Sequence, residues 1–269
     1  MRSSARSIGI FVTVAVFVVS SCSALRNSKA VKLNQLLLAG NEALIQKRYD
    51  EALRLYDEGL KIAPREVMFL SNKSIALRSR GAETYNSSRR IVGREENRVG
   101  IEKGKKDIEN AAIFSGQAWS SVRNSLSYEL IDFFTPQDVR LFVARNHAET
   151  LLLVAQHVDK TRTGEAVAVL DEYIGFESDA EKKLKSRLNR NKLLLENGQG
   201  EAALEGYRKL LAEDPNQLEA ILGVGLALSQ SGLKEEFDEA RTYLKRFIEL
   251  APDDHPMKAD IVRTLEYMK

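Results

Sequence analysis

Three times in this chain an alanine stands twelve residues before a proline: Ala52 and Pro64, Ala203 and Pro215, Ala240 and Pro252. The segments around them align as RYDEALRLYDEGLKIAP (48–64), QGEAALEGYRKLLAEDP (199–215) and EFDEARTYLKRFIELAP (236–252). Self-similarity at a fixed spacing marks a repeat architecture and limits the fold more sharply than composition does. The alanine is small where two helices must approach. A bulky residue four positions on (Tyr56, Tyr207, Leu244) lies on the same helix face and fills the space beside it. The proline cannot continue the hydrogen-bond ladder, so each segment ends at a turn and a second helix has to follow. Composition agrees: 7% aromatic residues and five prolines, with charged residues at 29%, suit helices better than β-sheets.

Upstream of the first copy, Gly40 lies twelve residues before Ala52 at another close approach. Leu36, Leu37, Ala43 and Leu44 form an apolar stripe of helical period beside it. Residues 33–66 therefore resemble one complete tetratricopeptide repeat (TPR), with Gly40, Tyr49, Ala52, Tyr56, Gly59 and Pro64 in the signature places. Residues 184–217 resemble a second through Gly198, Ala203, Tyr207 and Pro215, with Asn191 and Gly200 replacing the usual small and aromatic residues. Residues 218–254 resemble a third through Gly225, Gly232, Phe237, Ala240, Phe247 and Pro252, with three extra residues near 234–236 in the turn between its helices. Helical stretches at 67–80, 108–122, 136–158 and 165–174 lie between. They are read as two degenerate repeats, 67–125 with an insertion at 82–106 between its helices, and 126–183. Thr135-Pro136-Gln137-Asp138 and Ser178-Asp179-Ala180-Glu181 have the form of helix-starting capping boxes. Residues 255–269 supply a capping helix. The resemblance implies an all-α, TPR-type right-handed α-solenoid of about five helical hairpins with a C-terminal capping helix, and a partner-binding groove lined by the first helix of each hairpin.

The N-terminus is of another kind. Arg2 and Arg6 precede an uncharged apolar run at 8–19, too short to span a bilayer as a helix, and small residues follow. Residues 1–21 are expected to be a signal peptide. Val19-Ser20-Ser21-Cys22 resembles the bacterial lipobox, which implies diacylglycerol attachment to Cys22, the chain's one cysteine, with residues 22–32 as a tether. Ser23 in place of aspartate favours the outer membrane, facing the periplasm. Losing residues 1–21 removes Arg2 and Arg6 from the 40 basic residues and leaves them equal to the 38 acidic ones. A neutral body is not a general nucleic-acid binder.

Candidate sites are few. His147-Ala148-Glu149 lacks the cysteine ligands of a zinc deaminase. His147 and His157 are ten residues apart and do not share a helix face, and Gly223-Val224-Gly225 lacks the third glycine of a dinucleotide loop. No cofactor, metal or catalytic set is expected, and the chain reads as a non-enzyme. In chaperone-binding members of the family a carboxylate clamp uses a lysine and two asparagines. The matching positions here are Leu37, Asn41 and Asn72, so the charge that clamp needs is missing. Asn34, Asn41, Leu44, Asn72 and Lys73 are the expected partner-groove residues. Between residues 73 and 106 ten basic residues face four acidic ones, and Arg90, Arg94 and Arg98 are spaced to share one helix face that suits anionic lipid or an acidic partner. The expected role is a membrane-anchored envelope scaffold or adaptor that binds a protein. The alternative is a periplasmic small-ligand component resembling the repeat lipoproteins associated with TRAP-type transporters, for which a deep apolar pocket is the discriminating feature.

Overall fold

The structure, a computed structural model, describes residues 24–90, 94–123, 135–231 and 234–268. Cys22 and the apolar run before it lie outside the described residues. Among those described, all regular structure is helical: α1 (Ala24–Ile45), α2 (Tyr49–Ile62), α3 (Val67–Ser88), α4 (Arg94–Arg123), α5 (Pro136–His157), a 3-10 turn (Lys160–Arg162), α6 (Thr163–Phe176), α7 (Ala180–Glu196), α8 (Gly200–Glu213), α9 (Leu218–Gln230), α10 (Lys234–Leu250) and α11 (Lys258–Tyr267). No described helix is long and apolar enough to cross a membrane. The chain divides into two compact units, one ending at Val154 and the other beginning at Ala155.

In the first unit the repeat alanine and its bulky neighbour behave as the spacing requires: Ala52 and Tyr56 are fully buried. A Cβ added to Gly40 would sit 2.5 Å from the Tyr56 ring, so α1 and α2 meet where a side chain is absent. Tyr56 also meets Phe69 of α3 edge-on, at 6.3 Å between centroids. Pro64 follows the end of α2, and the Glu66 side chain caps α3 by accepting from the Met68 amide.

The expected insertion at 82–106 is not a break between two helices. The chain continues as helix to Ser88 and resumes at Arg94, so α3 and α4 form an extended hairpin. Glycines explain its closeness. A Cβ on Gly81 would lie 2.8 Å from the Gly104 carbonyl oxygen, a Cβ on Gly104 would lie 2.7 Å from that of Gly81, and Gly100 receives the Ser88 side chain. The expected tether likewise starts α1, which is helical from Ala24 onwards. Helix α5 is fastened to this hairpin by polar contacts. Arg78 donates to the Asn146 carbonyl (3.0 Å), to Thr150 (3.1 Å) and to Glu149 (2.8 Å), while Ser115 and His147 are hydrogen-bonded at 2.9 Å with both side chains buried. At the start of α5, Thr135 and Asp138 make the expected reciprocal cap.

In the second unit a core of Ala203, Tyr207, Ile221, Val224, Ala240, Leu244 and Phe247 runs through α8, α9 and α10. The cap of α7 is Asp179 rather than Ser178, because Asp179 accepts from the Lys182 amide at 3.0 Å. Buried Glu177 ends α6, accepting from the Tyr173 hydroxyl at 2.5 Å and from the Asp179 amide at 2.9 Å. The three extra residues near 234–236 extend a helix instead of a loop: α10 has 17 residues where α8 has 14. Helix α11 closes the core with Ile261, and Met268 just beyond it is also buried; Val262 and Tyr267 are exposed.

Candidate binding cleft

The expected groove residues do not share one surface. Asn41 on α1 accepts from the Tyr56 hydroxyl (2.9 Å) and from Asn72 Nδ2 (2.8 Å), which ties α1, α2 and α3 together. Asn72 is 6% exposed, so its amide is spent inside the repeat. Leu44 is also 6% exposed and packs in the core of the first unit, which corrects its assignment as a partner contact. Helical spacing cannot distinguish the groove side of α1 from the α2-facing side when apolar residues occupy both. Asn34 stays partly exposed on α1. Burial holds the Tyr56 phenol well above its ordinary pKa, so it remains a neutral donor to Asn41.

Lys73 lies elsewhere. One residue on from Asn72, its side chain reaches Asp57 of α2, with Nζ 2.5 Å from Oδ1 and 3.8 Å from the ring centroid of Phe114 on α4. This places it in a cleft of about 400 Å³ lined by Asp57, Leu60, Lys61, Pro64, Leu70, Lys73, Phe114 and Gln117. The cleft runs between α2 and α4 with α3 as its floor. It is open, and charged side chains stand beside apolar ones in its wall, unlike the deep apolar pocket that a small-ligand carrier of the TRAP-associated kind requires. Apart from Lys73 and Pro64, none of these lining residues stands out in the sequence, because three separate helices supply them. Pro64 is the part that the repeat spacing marks.

The basic segment is also rearranged. Arg90 falls in the turn after α3, Arg94 begins α4, and Arg98 lies further along α4, paired with Glu95 at 2.7 Å, so the three arginines do not occupy one helix. Much of the local charge is balanced from distant parts of the chain: Arg80 by Asp107 (2.7 Å) and Asp50, Arg78 by Glu149, Lys73 by Asp57. The hydrogen bonds that the Arg80 guanidinium donates to Asp107 push the Arg80 pKa upward. No group of three or more His, Cys, Asp or Glu side chains among the described residues is placed to hold a metal ion.

No protein-family model matches the chain, and no curated protein matches it. Solved structures do. YrrB, described as a TPR protein with an unusual peptide-binding site, aligns over 88% of this chain and 97% of its own, with a TM-score of 0.52 and 16% identity. TTC0263, a TPR protein of Thermus thermophilus, aligns over 88% of this chain and 98% of its own, with a TM-score of 0.41 and 16% identity. The TPR domain of P58(IPK) covers 91% of this chain and 67% of its own at a TM-score of 0.39 and 13% identity. At these identities the likeness is one of fold: the chain has an all-α, TPR-type architecture.

Proposed function

We propose that this chain is an interaction scaffold of the bacterial cell envelope, held to a membrane by lipid on Cys22 and facing the periplasm, with the outer membrane as its favoured location. It binds a protein partner and turns over no substrate. The observation that carries the scaffold reading is the open α2–α4 cleft, where a cation, a carboxylate, an amide and an apolar floor lie together on a helical-hairpin framework. A surface of that kind recognises side chains. It offers no nucleophile paired with a base and no metal set around which chemistry can be organised. The structural likeness to YrrB, itself described as having a peptide-binding site, points the same way. The anchor rests on the lipobox-like Val19-Ser20-Ser21-Cys22 after an apolar run. Each acyl CH₂ buried in a bilayer contributes about 0.8 kcal/mol, so two or three chains hold a protein at a membrane without a spanning helix.

The two halves of the proposal separate experimentally. With a palmitate analogue fed to the producing bacterium, the wild-type protein takes up label and sediments with membranes, while Cys22→Ser is unlabelled and soluble. An unlabelled wild type in the soluble fraction removes the anchor. A photo-crosslinking residue at Gln117 is expected to join the full chain to a discrete protein; crosslinking to nothing, with the protein folded and membrane-bound, removes the scaffold.

A further inference from the structure

Lys73 is a cation drawn out of water. Its side chain is 15% exposed, wedged between Asp57 and the face of Phe114. The carboxylate that neutralises it is held less firmly, since Asp57 is 49% exposed on the rim of the cleft. An incoming carboxylate can therefore replace Asp57 at Lys73 while Asp57 turns outward to water. The exchange keeps the ammonium paired in its low-dielectric setting, where loss of a partner is costly. The rest of the cleft favours the same ligand. Lys61 lines it and Arg65 stands exposed in the turn just past Pro64, so basic side chains outnumber the single lining carboxylate, while Leu60, Leu70 and Pro64 supply apolar surface.

The geometry points to this cleft as the docking site for an acidic peptide segment that carries one large apolar side chain. The apolar side chain packs on Leu60, Leu70, Pro64 and the edge of Phe114. One carboxylate takes the place of Asp57 at Lys73, and a second meets Lys61 at the rim. A basic segment meets like charge at Lys61, Arg65 and Lys73. The available volume suits a few side chains rather than a folded domain. The inference rests on the scaffold reading and adds to it a location and a ligand chemistry.

The test is selection of a random peptide library on the full-length protein, followed by affinity measurement of the enriched peptides as fluorescein conjugates. Enrichment of sequences pairing Asp or Glu with a neighbouring Leu, Ile, Phe or Trp is expected. Their binding should weaken about tenfold or more, equal to about 1.4 kcal/mol, in Lys61→Glu and in Phe114→Ala. Lys61 is exposed, so its reversal leaves the fold and its circular dichroism melt unchanged. Phe114 packs against the core of the first unit, so Phe114→Ala is measured well below its own lowered melt, where an unchanged helical spectrum verifies that it is folded. A basic or uncharged consensus overturns the inference. So does acidic binding that neither substitution weakens; peptides then bind elsewhere and the scaffold reading stands. If no peptide is enriched on the folded protein, the inference falls, while the scaffold reading is decided separately by crosslinking at Gln117.

Discussion

The α1–α2 and α7–α8 hairpins hold equivalent repeat positions and solve the same packing problem with different residues. In the first, Gly40 leaves room for the Tyr56 ring. In the second, Asn191 stands at the position of Gly40, buried at 2% exposure, and the room it needs appears across the interface: a Cβ on Gly206 would lie 2.2 Å from Asn191 Oδ1. Gly206 occupies the position of Leu55. The large and small partners have exchanged helices, and Tyr207 packs instead on Gly223 of the next hairpin, where a Cβ would sit 2.4 Å from its ring. What recurs between the two hairpins is complementary volume, not residue identity. A repeat that looks worn at Asn191 is a compensated one.

The largest effects come from removing the shared element. Tyr56→Ala and Tyr207→Ala each empty a buried aromatic site and should cost about 3–5 kcal/mol by denaturant unfolding. A loss well under that range in one hairpin means its aromatic does not hold it together. The phenylalanine variants sharpen the contrast. Tyr56→Phe deletes the hydrogen bond to Asn41 and should cost about 0.5–1.5 kcal/mol. Tyr207→Phe should cost less, because Lys192 stands at the position of Asn41 and its ammonium has no lone pair to accept from the Tyr207 hydroxyl.

The exchange of large and small residues predicts a coupling. Gly206→Leu alone drives a side chain into Asn191 and should cost about 1–3 kcal/mol as overpacking. Adding Asn191→Gly recreates the pattern of the first hairpin and should recover much of that loss, with an interaction energy of about 0.5–3 kcal/mol in a double-mutant cycle. Strictly additive melting shifts would sink the idea that the two positions compensate each other.

The same contrast marks how far the sequence could be read. The Ala-to-Pro spacing located α2, α8 and α10 because small, large and chain-breaking residues sit at fixed intervals set by helix geometry. The continuation of α3 and α4 beyond the helical stretches read at 67–80 and 108–122 escaped because its polarity reads as a loop. Yet Glu95–Arg98 and Glu102–Lys105 are paired three apart, as on a helix surface, and Gly100 and Gly104 share a face. Local charge misled as well. The excess of basic residues at 73–106 is offset by Asp50, Asp57 and Glu149, which only the fold brings near, and by Asp107, which adjoins the window but pairs with Arg80 across the hairpin. The cleft was hidden for a similar reason: Asp57, Lys73 and Phe114 come from three helices, and no linear spacing relates them.

The smallest effect probes the third difference between the hairpins, Tyr49 against Gly200. Tyr49 opens α2 and donates to Glu83 on α3, whereas a Cβ on Gly200 would meet nothing within 4 Å. Burial, then the hydrogen bond to Glu83 and its negative charge, push the Tyr49 phenol from an ordinary value of 10.0 up to about 12. The folded pKa is thus raised above the unfolded one. The stabilisation that Tyr49 gives is fully present below pH 10 and is lost as pH rises through 12. Tyr49→Phe should therefore melt a little below wild type at neutral pH, and the gap should close across that alkaline window as the wild type alone loses its proton from this site. Titration of the other tyrosines affects both proteins equally and cancels in the difference. A gap that stays constant to high pH would mean the phenol contributes only its ring, and α2 would then be joined to α3 by packing alone, as at the hairpin where glycine stands in its place.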